Sequence, residues 1–418
     1  MTDSAAYDAI VVGARCAGAP TAMLLARHGH RVLLVDRSTF PSDTLSTLVI
    51  QPHGVAALDR WGLLDEVRAT GCPPMERYVF DFGPAVVSGK ARPIDGHATP
   101  IAPRRTVLDK ILVDAAARAG AEVREGFTVD EVITDDGAVV GIRGHADGGR
   151  EVVERARVVI GADGHNSRIA RAVGAERYRE KPVLENAFYS FWSDLPVDAF
   201  TTVIRGDRAF AAIPTNDDAT LLLVGCPFAQ ASEFRRDVEA NYHEAISRDP
   251  EWSERLAAAT RVDRFTGGGV PNFFRKPYGP GWALVGDAGY TKDPVTAQGI
   301  ANAFLSAEQV ASTLTAVWAG ERSFEEAMRR YQVERDRAVL PMYEFTTQLA
   351  TLEPPPPDMQ ELLVAVAGNQ PAMDAFVSVN AGTMSPEEFF DPDHLAGLFA
   401  PAGDRGNVPA AGKEVAAR

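Results

Sequence analysis

The sequence has 418 residues, and its 42 Lys and Arg against 57 Asp and Glu give a net charge of −15. This acidic balance excludes nucleic acid as a partner bound through a basic face, because such binding depends on cations that displace the counterions of the phosphates. The composition, 45% hydrophobic and 24% charged, is that of a globular protein, and the length suggests roughly two or three domains.

Neither a membrane segment nor a disulfide framework is indicated. No run approaches the roughly 18 to 20 apolar residues of a spanning helix, and the first residues include acids where a signal peptide would be basic. The three cysteines, Cys16, Cys72 and Cys226, are too few and too widely spaced for a zinc site. We therefore expect a soluble, cytoplasmic protein with no transmembrane segment and no metal.

The chain opens with the pattern of a parallel βαβ unit. Residues 7–12 (YDAIVV) predict a strand that ends at Gly13, and residues 19–29 have apolar side chains at helical spacing. Residues 31–36 (RVLLVD) predict a second strand that ends at Asp36. A strand, tight turn, helix and strand in so short a stretch are typical of a nucleotide-binding fold.

Similar elements follow further along the chain. Residues 107–118 predict an amphipathic helix, and residues 131–143 predict a hairpin that turns at Asp136 and Gly137. Residues 155–164 and 282–289 predict buried strands that run into Gly-rich turns.

The stretch between these two buried strands has a different sequence pattern. Residues 183–266 contain short apolar runs separated by polar turns, which predicts an inserted antiparallel sheet. After Gly299 the pattern is mostly helical, with a long charged amphipathic stretch near 322–350 and a proline run at 354–357.

The first turn carries the motif of Gly13, Gly18 and the later Asp36. Gly13 permits a tight turn, Gly18 lets the helix pack on the strand, and the helix N-terminus attracts a pyrophosphate. Asp36 can accept hydrogen bonds from an adenosine ribose. Arg15 stands where a dinucleotide fingerprint has its middle glycine. Its side chain either reaches the pyrophosphate as a charge partner or points to solvent.

Two further Gly-rich turns follow the later buried strands. The second motif is residues 161–164 (GADG), and the third is residues 286–289 (GDAG), with Pro294 and a predicted helix start at residues 297–300 close behind. Either turn alone is an ordinary Asp-Gly turn. All three motifs in one chain, however, form a sequence signature that is specific to a protein family.

These motifs, in this order, resemble the flavoprotein monooxygenases built like para-hydroxybenzoate hydroxylase. The resemblance covers about residues 5–350, and it extends to FAD-dependent halogenases and geranylgeranyl reductases. It implies that Asp287 bonds the ribityl chain of FAD and that Asp163 lies near the pyrophosphate and the NAD(P)H entry. It also implies that Arg105 contacts the flavin; the alternative is a surface arginine at the start of its helix, a role that Arg104 could fill equally well.

The resemblance implies an α/β fold with a Rossmann-like FAD-binding domain, an inserted antiparallel-sheet substrate domain and C-terminal helices. The predicted parts are 1–182, with a substrate-domain excursion near 73–100, then 183–266, 267–350, 351–400 and a disordered tail at 401–418. The predicted cofactor-binding residues are Gly13, Ala14, Arg15, Gly18, Asp36, Arg37, Arg105, Val129, Asp163, Gly286, Asp287, Pro294, Gln298, Gly299 and Ile300.

No fixed catalytic residue is required, because the cofactor supplies the difficult chemistry and the protein positions the substrate and excludes water. Residues near the flavin by sequence position are Ser46, Thr47, Gln51, His53, Tyr290 and Lys292. His53 is more often a helix-start residue than a base. The aromatic residues Tyr189, Phe191 and Trp192 either line an apolar pocket or belong to an ordinary core.

The predicted function is an FAD-dependent monooxygenase that uses NADPH or NADH and O2 to hydroxylate or epoxidise an apolar, aromatic or polycyclic small molecule in secondary metabolism. The alternatives are a reductase of isoprenoid double bonds, a halogenase, and a flavin-binding protein without turnover. The halogenase is the weaker alternative, because residues 188–196 (FYSFWSDLP) lack the Trp-x-Trp-x-Ile-Pro signature of that group. The substrate, the electron donor and the oligomeric state stay open.

Overall fold

The computed structural model describes residues 7–146 and 148–399. The predicted tail at 401–418 lies outside this part of the chain. The strands are β1 (Tyr7–Val12), β2 (Val32–Val35), β3 (Tyr78–Asp81), β4 (Val86–Gly89), β5 (Glu122–Arg124), β6 (Phe127–Asp135), β7 (Ala138–Ala146), β8 (Val152–Gly161), β9 (Arg177–Lys181), β10 (Glu185–Ser193), β11 (Phe200–Arg205), β12 (Arg208–Pro214), β13 (Thr220–Pro227), β14 (Thr260–Arg261), β15 (Thr266–Gly268), β16 (Asn272–Arg275), β17 (Tyr278–Gly279), β18 (Trp282–Leu284) and β19 (Tyr290–Thr291).

Helices connect and cover these strands. They are α1 (Gly18–Arg27), α2 (Pro52–Arg60), α3 (Leu64–Arg68), α4 (Arg105–Arg118), α5 (Arg168–Ala172), α6 (Ala231–Phe234), α7 (Val238–Ser247), α8 (Pro250–Ala257), α9 (Gly299–Trp318), α10 (Phe324–Leu349), α11 (Pro357–Ala367), α12 (Gln370–Asn380), α13 (Pro386–Phe389) and α14 (Pro392–Phe399). The predicted helices at 107–118 and 322–350 are confirmed as α4 and α10.

The first sheet has the strand order β17-β18-β8-β1-β2-β5. The pairs β1–β2, β1–β8, β8–β18 and β2–β5 are parallel, so the predicted opening βαβ unit is confirmed. Helices α1, α4 and α9 cover one face of this sheet, and the β6–β7 hairpin with α5 covers the other. The hairpin turns at Asp136 and Gly137, both at positive φ, as predicted.

The second sheet has the strand order β14-β10-β13-β12-β11-β3-β4, with β15 paired to β10. The predicted antiparallel strands of the insertion are confirmed, but two features were not predicted. Strand β3 pairs with β11 in parallel, and helices α6, α7 and α8 follow β13 within the insertion. The α/β fold class is confirmed, whereas the division into domains at residues 182 and 266 stays a prediction.

The two faces of the second sheet pack against different partners, because side chains alternate along each strand. Phe188, Trp192 and Val224 point toward α7 and α8. Tyr189, Phe191 and Leu221 point the other way, toward Leu48 and Ala297. We call this second side the inner face. Through this inner face, the inserted sheet packs against the segment that follows the third Gly-rich turn.

Candidate functional site

A cavity of about 920 Å³ lies at the carboxyl ends of the parallel strands β1, β2, β8 and β18. This edge is where open α/β sheets bind ligands, and the volume is in the range of cofactor sites, roughly 300 to 1,000 Å³. The predicted cofactor-binding residues that line the cavity are Gly13, Arg15, Asp36, Arg37, Arg105, Val129, Asp163, Gly286, Asp287, Pro294, Gly299 and Ile300.

Gly13 and Gly18 shape the first turn through backbone contacts. Gly13 has φ +104°, and a Cβ there would lie 2.5 Å from the carbonyl oxygen of Ala162. A Cβ on Gly18 would overlap the carbonyl oxygen of Gly13. The backbone N–H groups of Arg15 and Cys16 donate to no acceptor in the described part of the chain. They are therefore available to an anion at the start of α1.

Asp36 is held by the turn that it faces. Its Oδ2 accepts a hydrogen bond from Ala14 N at 2.7 Å, and its Oδ1 accepts one from Ser38 N at 2.8 Å. Ala14 therefore acts through its backbone, which locks the end of β2 to the first turn. The carboxylate is half-buried at the cavity wall, and its contact with a ribose stays a prediction.

The Arg15 side chain points toward helix α4 and the loop at 42–43, and it lines the cavity. Its Nη1 donates to Asp109 Oδ2 at 2.7 Å and to Ser42 O at 3.1 Å, and its Nη2 donates to Ser42 Oγ at 3.0 Å and to Asp43 O at 3.2 Å. The side chain is only 24% exposed, so it does not point to solvent. The guanidinium ties helix α4 to the loop at 42–43, and its contact with a pyrophosphate stays a prediction.

Arg15→Gly tests this reading. We expect the free energy of unfolding to fall by about 1.5 to 3 kcal/mol, because charge-assisted bonds to a buried carboxylate are lost. The loss should persist at high salt, since screening acts mainly on exposed charges. Urea unfolding at low and high salt measures it, with Arg15→Lys as the control that keeps the charge. Unchanged stability with a large loss of FAD affinity would instead show that Arg15 contacts the cofactor.

Asp109, which the sequence analysis missed, does not line the cavity but holds three residues that do, Arg15, Cys16 and Arg105. It is fully buried and accepts bonds from Arg15, from Arg105 Nε and Nη2, and from the Cys16 thiol. Arg105 and Asp109 lie four residues apart on α4, a spacing that places them on one helix face and could have indicated the pair. Arg105 Nη1 has no acceptor among the described residues, so one donor is left for a ligand.

Asp163 caps a helix as well as lining the cavity. Its carboxylate accepts bonds from Ser167 Oγ, Arg168 N and Ile169 N, at the start of α5. Arg168 Nη1 in turn donates to the carbonyl oxygen of Val129 at 3.3 Å. The second motif therefore orients the residues around the cavity, and a direct role of Asp163 or Val129 toward a cofactor stays a prediction.

Asp287 follows β18 and is open to the cavity, while protein atoms surround it on its other sides. Desolvation by the protein atoms around it raises the pKa of its carboxyl, and the charges of His165, Lys292 and Arg105 oppose that rise. Burial lowers the pKa of Lys292 to about 7, against the pull of Asp287 and Asp293. A carboxylate acceptor and an amine that titrates near neutrality thus stand on the same wall.

The segment after this motif differs from the predicted helix start. Residues Pro294–Thr296 form a single 3₁₀ turn, Ala297 has a left-handed φ of 51°, and helix α9 begins only at Gly299. Gln298 does not line the cavity, because its Nε2 donates to Asn380 O at 2.8 Å. Gly299 and Ile300 do line it, and the free N–H groups at the start of α9 face this region.

Gly299 gives a test of whether a cofactor fills the cavity. A Cβ there would meet no protein atom within 4 Å, so Gly299→Ala should not lower the stability of the protein without cofactor. We expect FAD affinity to fall by about tenfold, because the methyl group occupies ligand space. The exposed Gly397 of α14 also has no atom within 4 Å of an added Cβ, and Gly397→Ala is the matched control. Equal FAD affinity in both variants would place the cofactor elsewhere.

The structure separates the other candidate residues. Ser46, Thr47, Tyr290 and Lys292 line the cavity. Gln51 and His53 do not; Gln51 instead accepts a bond from Tyr78 and donates to Thr296 O.

The three aromatic candidates divide between the two faces of the inserted sheet. Tyr189 and Phe191 lie on its inner face. Trp192 points away, and its Nε1 donates to Tyr242 Oη at 3.2 Å. Trp192 is therefore part of an ordinary core.

The residues present fit FAD. Free N–H groups at the start of α1 and a donor on Arg105 suit a pyrophosphate, the Asp287 carboxylate suits ribityl hydroxyls, and Gly299 leaves open space at a second helix start. No group of three or more His, Cys, Asp or Glu that could hold a metal occurs within residues 7–146 and 148–399. In the same ranges, no helix combines the length and apolar character needed to cross a membrane.

A family model described as an FAD binding domain matches residues 6–346, and the chain belongs to this family. The predicted resemblance is thus confirmed, and the protein is an FAD-dependent oxidoreductase. The chain is 27% identical over 317 residues to 6-methylpretetramide 4-monooxygenase of Streptomyces rimosus, covering 71% of this chain and 72% of that protein. It is 27% identical over 338 residues to digeranylgeranylglycerophospholipid reductase of Methanocella arvoryzae, covering 78% and 82%.

A solved structure, the myxobacterial chondrochloren halogenase CndH, matches with a TM-score of 0.77 and 25% identity, covering 94% of this chain and 93% of that one. Proteins named for three different reactions therefore share this architecture. Membership of the family establishes FAD as the cofactor, whereas these similar proteins are named for different reactions.

Proposed function

We propose that the protein is an FAD-dependent monooxygenase that takes two electrons from NADPH or NADH and inserts one oxygen atom of O2 into an apolar, aromatic or polycyclic small molecule. The second oxygen atom leaves as water, which balances the reaction. One observation carries the proposal: a small cavity of about 30 Å³ on the inner face of the inserted sheet shares lining residues with the flavin cavity. These shared residues are Thr47, Pro294 and Ala297.

The inner face suits an apolar acceptor. Where β10, β12 and β13 run side by side it carries small and aliphatic side chains, which are Ala187, Ala209, Ala211, Ile213, Leu221 and Leu223. Phe191 closes one end, with the Arg104 guanidinium 3.6 Å from its ring centre. FAD, when bound, carries electrons from the nicotinamide donor to O2. The chain itself holds the substrate against the sheet and keeps water away.

The reductase is the second candidate, since the relative from Methanocella arvoryzae is named as a lipid reductase. It would use the same cavity and donor but add two hydrogens to a double bond. The halogenase has a matching fold, but residues 188–196 lack its signature. A flavin-binding protein without turnover would keep FAD oxidised in the presence of NAD(P)H.

Flavin absorbance separates these candidates. We expect NADPH or NADH to bleach the flavin band without oxygen, and admission of air to restore it, faster when substrate is present. A protein without turnover would show no bleaching. A reductase would regain its flavin band on addition of an unsaturated isoprenoid in the absence of air.

We also propose a cytoplasmic location and a place in secondary metabolism. The three cysteines are free and buried, which supports a reducing compartment.

A further inference from the structure

Lys292 is a buried amine on the wall of the flavin cavity. Its side chain is 8% exposed, and it follows strand β19, in which Thr291 pairs with Phe273 of β16. The next residue, Asp293, donates its N–H to Asn272 Oδ1 at 2.7 Å. The backbone is therefore held on both sides of Lys292, and the amine extends into the wall from a fixed point.

The Lys292 ammonium has no partner in the described part of the chain. Its Nζ makes no hydrogen bond or ion pair there, and it is open to the cavity. Two other buried cations line the same cavity, but Arg105 pairs with Asp109 and Arg335 pairs with Asp336. Lys292 differs from both of them, because its charge is left for a ligand.

The carboxylates around Lys292 do not take the place of that ligand. Asp287 and Asp293 attract the ammonium through their charge and without a hydrogen bond, and burial still lowers the pKa of Lys292 to about 7. Asp293 Oδ1 already accepts from Val295 N at 3.1 Å. An ammonium that is buried without a hydrogen-bond acceptor is costly, so the protonated amine is stabilised when an acceptor enters the cavity.

The order of residues along the chain indicates which end of FAD Lys292 faces. Lys292 lies between Asp287, which suits the ribityl hydroxyls, and Gly299, where α9 begins, and all three line the cavity. Asp36, the predicted partner of the adenosine ribose, stands after β2 instead. The flavin ring offers oxygen and nitrogen acceptors, and it gains negative charge when it is reduced. An ammonium on this wall therefore suits the ring.

We propose that Lys292 donates a hydrogen bond to the flavin ring of FAD and offsets the negative charge that the ring gains on reduction. A cation in a site that excludes water favours the charged, reduced form over the neutral, oxidised form. Lys292 would act in this way in the monooxygenase and in the reductase alternative alike, because both need FAD to be reduced. It would set how readily the protein accepts electrons from its donor.

Lys292→Met tests the charge, because methionine keeps an unbranched side chain and removes the ammonium. We expect the equilibrium between reduced and oxidised flavin to shift about tenfold toward the oxidised form, which lowers the two-electron reduction potential by about 30 mV. Slow reduction without oxygen beside a reference dye, followed by absorbance, measures the potential. Lys292→Gln, which is also neutral, should show a similar fall.

The exposed Lys90 lies outside the cavity lining, and Lys90→Met is the matched control, with the potential of the parent protein. The affinities of the cofactor-free protein for oxidised and for reduced FAD give the same ratio even in a variant that binds FAD weakly. Lys292→Met should lose about tenfold of the preference for reduced FAD. A potential and a preference equal to those of the parent in both Lys292 variants would overturn the inference.

The stability of the cofactor-free protein separates this role from a structural one. We expect Lys292→Met to be at least as stable as the parent in urea, because the variant removes a buried charge that lacks a partner. A loss of stability with an unchanged potential would assign Lys292 to the fold and overturn the inference. These measurements use neither substrate nor O2, so failure of the proposed monooxygenase reaction would not alter them.

Discussion

Replacing Asp287 with Ala is expected to weaken FAD binding by about ten- to a hundredfold. The carboxylate opens into the cavity at the end of β18, and the ribityl hydroxyls of FAD need an acceptor at this edge. Loss of a hydrogen bond to a charged group costs about 1.5 to 3 kcal/mol, which corresponds to that range of affinity. Fluorescence titration of FAD into the protein without cofactor measures the change.

Two controls sharpen the Asp287 experiment. Asp287→Asn keeps an acceptor oxygen and should lose less affinity than Asp287→Ala. Asp358→Ala removes an exposed acid in the first turn of α11, outside the cavity lining, and should bind FAD like the parent. If Asp287→Ala also bound FAD like the parent, the third motif would not be a cofactor ligand.

Gly18→Ala is expected to lower the free energy of unfolding by about 3 kcal/mol, because the added Cβ overlaps the backbone carbonyl of Gly13 rather than a flexible side chain. The turn and α1 would have to separate, which also displaces the free N–H groups of Arg15 and Cys16. Urea unfolding and FAD content after purification both measure this. Gly397→Ala adds the same methyl group to a helix without a contact. Equal stability of the two variants would mean that the first turn is looser than the structure shows.

Local patterns predicted the parts of the molecule whose cause is local. The βαβ opening, the hairpin at Asp136 and Gly137, and the strand ends at Asp36 and Asp287 follow from side-chain periodicity and turn chemistry over a few residues. The three motifs also predicted a shared cofactor site through the family resemblance, and the structure brings them to one edge of the parallel sheet.

Tertiary packing determined the features that the sequence analysis missed. Asp109 accepts hydrogen bonds from Arg105 on its own helix and from Arg15 and Cys16 in the first turn. No local sequence pattern indicates the contacts between these two distant parts of the chain. Ala297 has a left-handed backbone conformation that alanine disfavours, and helix α9 therefore begins at Gly299 instead of at the predicted residue 297. Gln298 consequently points toward α12, where its Nε2 donates to the carbonyl oxygen of Asn380.

The fate of labelled dioxygen tests the proposed monooxygenase reaction most directly. The protein loaded with FAD would be incubated with NADPH or NADH, isotopically labelled O2 and a panel of phenolic and polycyclic compounds, with mass spectrometry of the products. We expect a product that carries one labelled oxygen atom, with none from labelled water. A product that has gained two hydrogens and no oxygen, or O2 consumption that ends entirely in hydrogen peroxide, would contradict it.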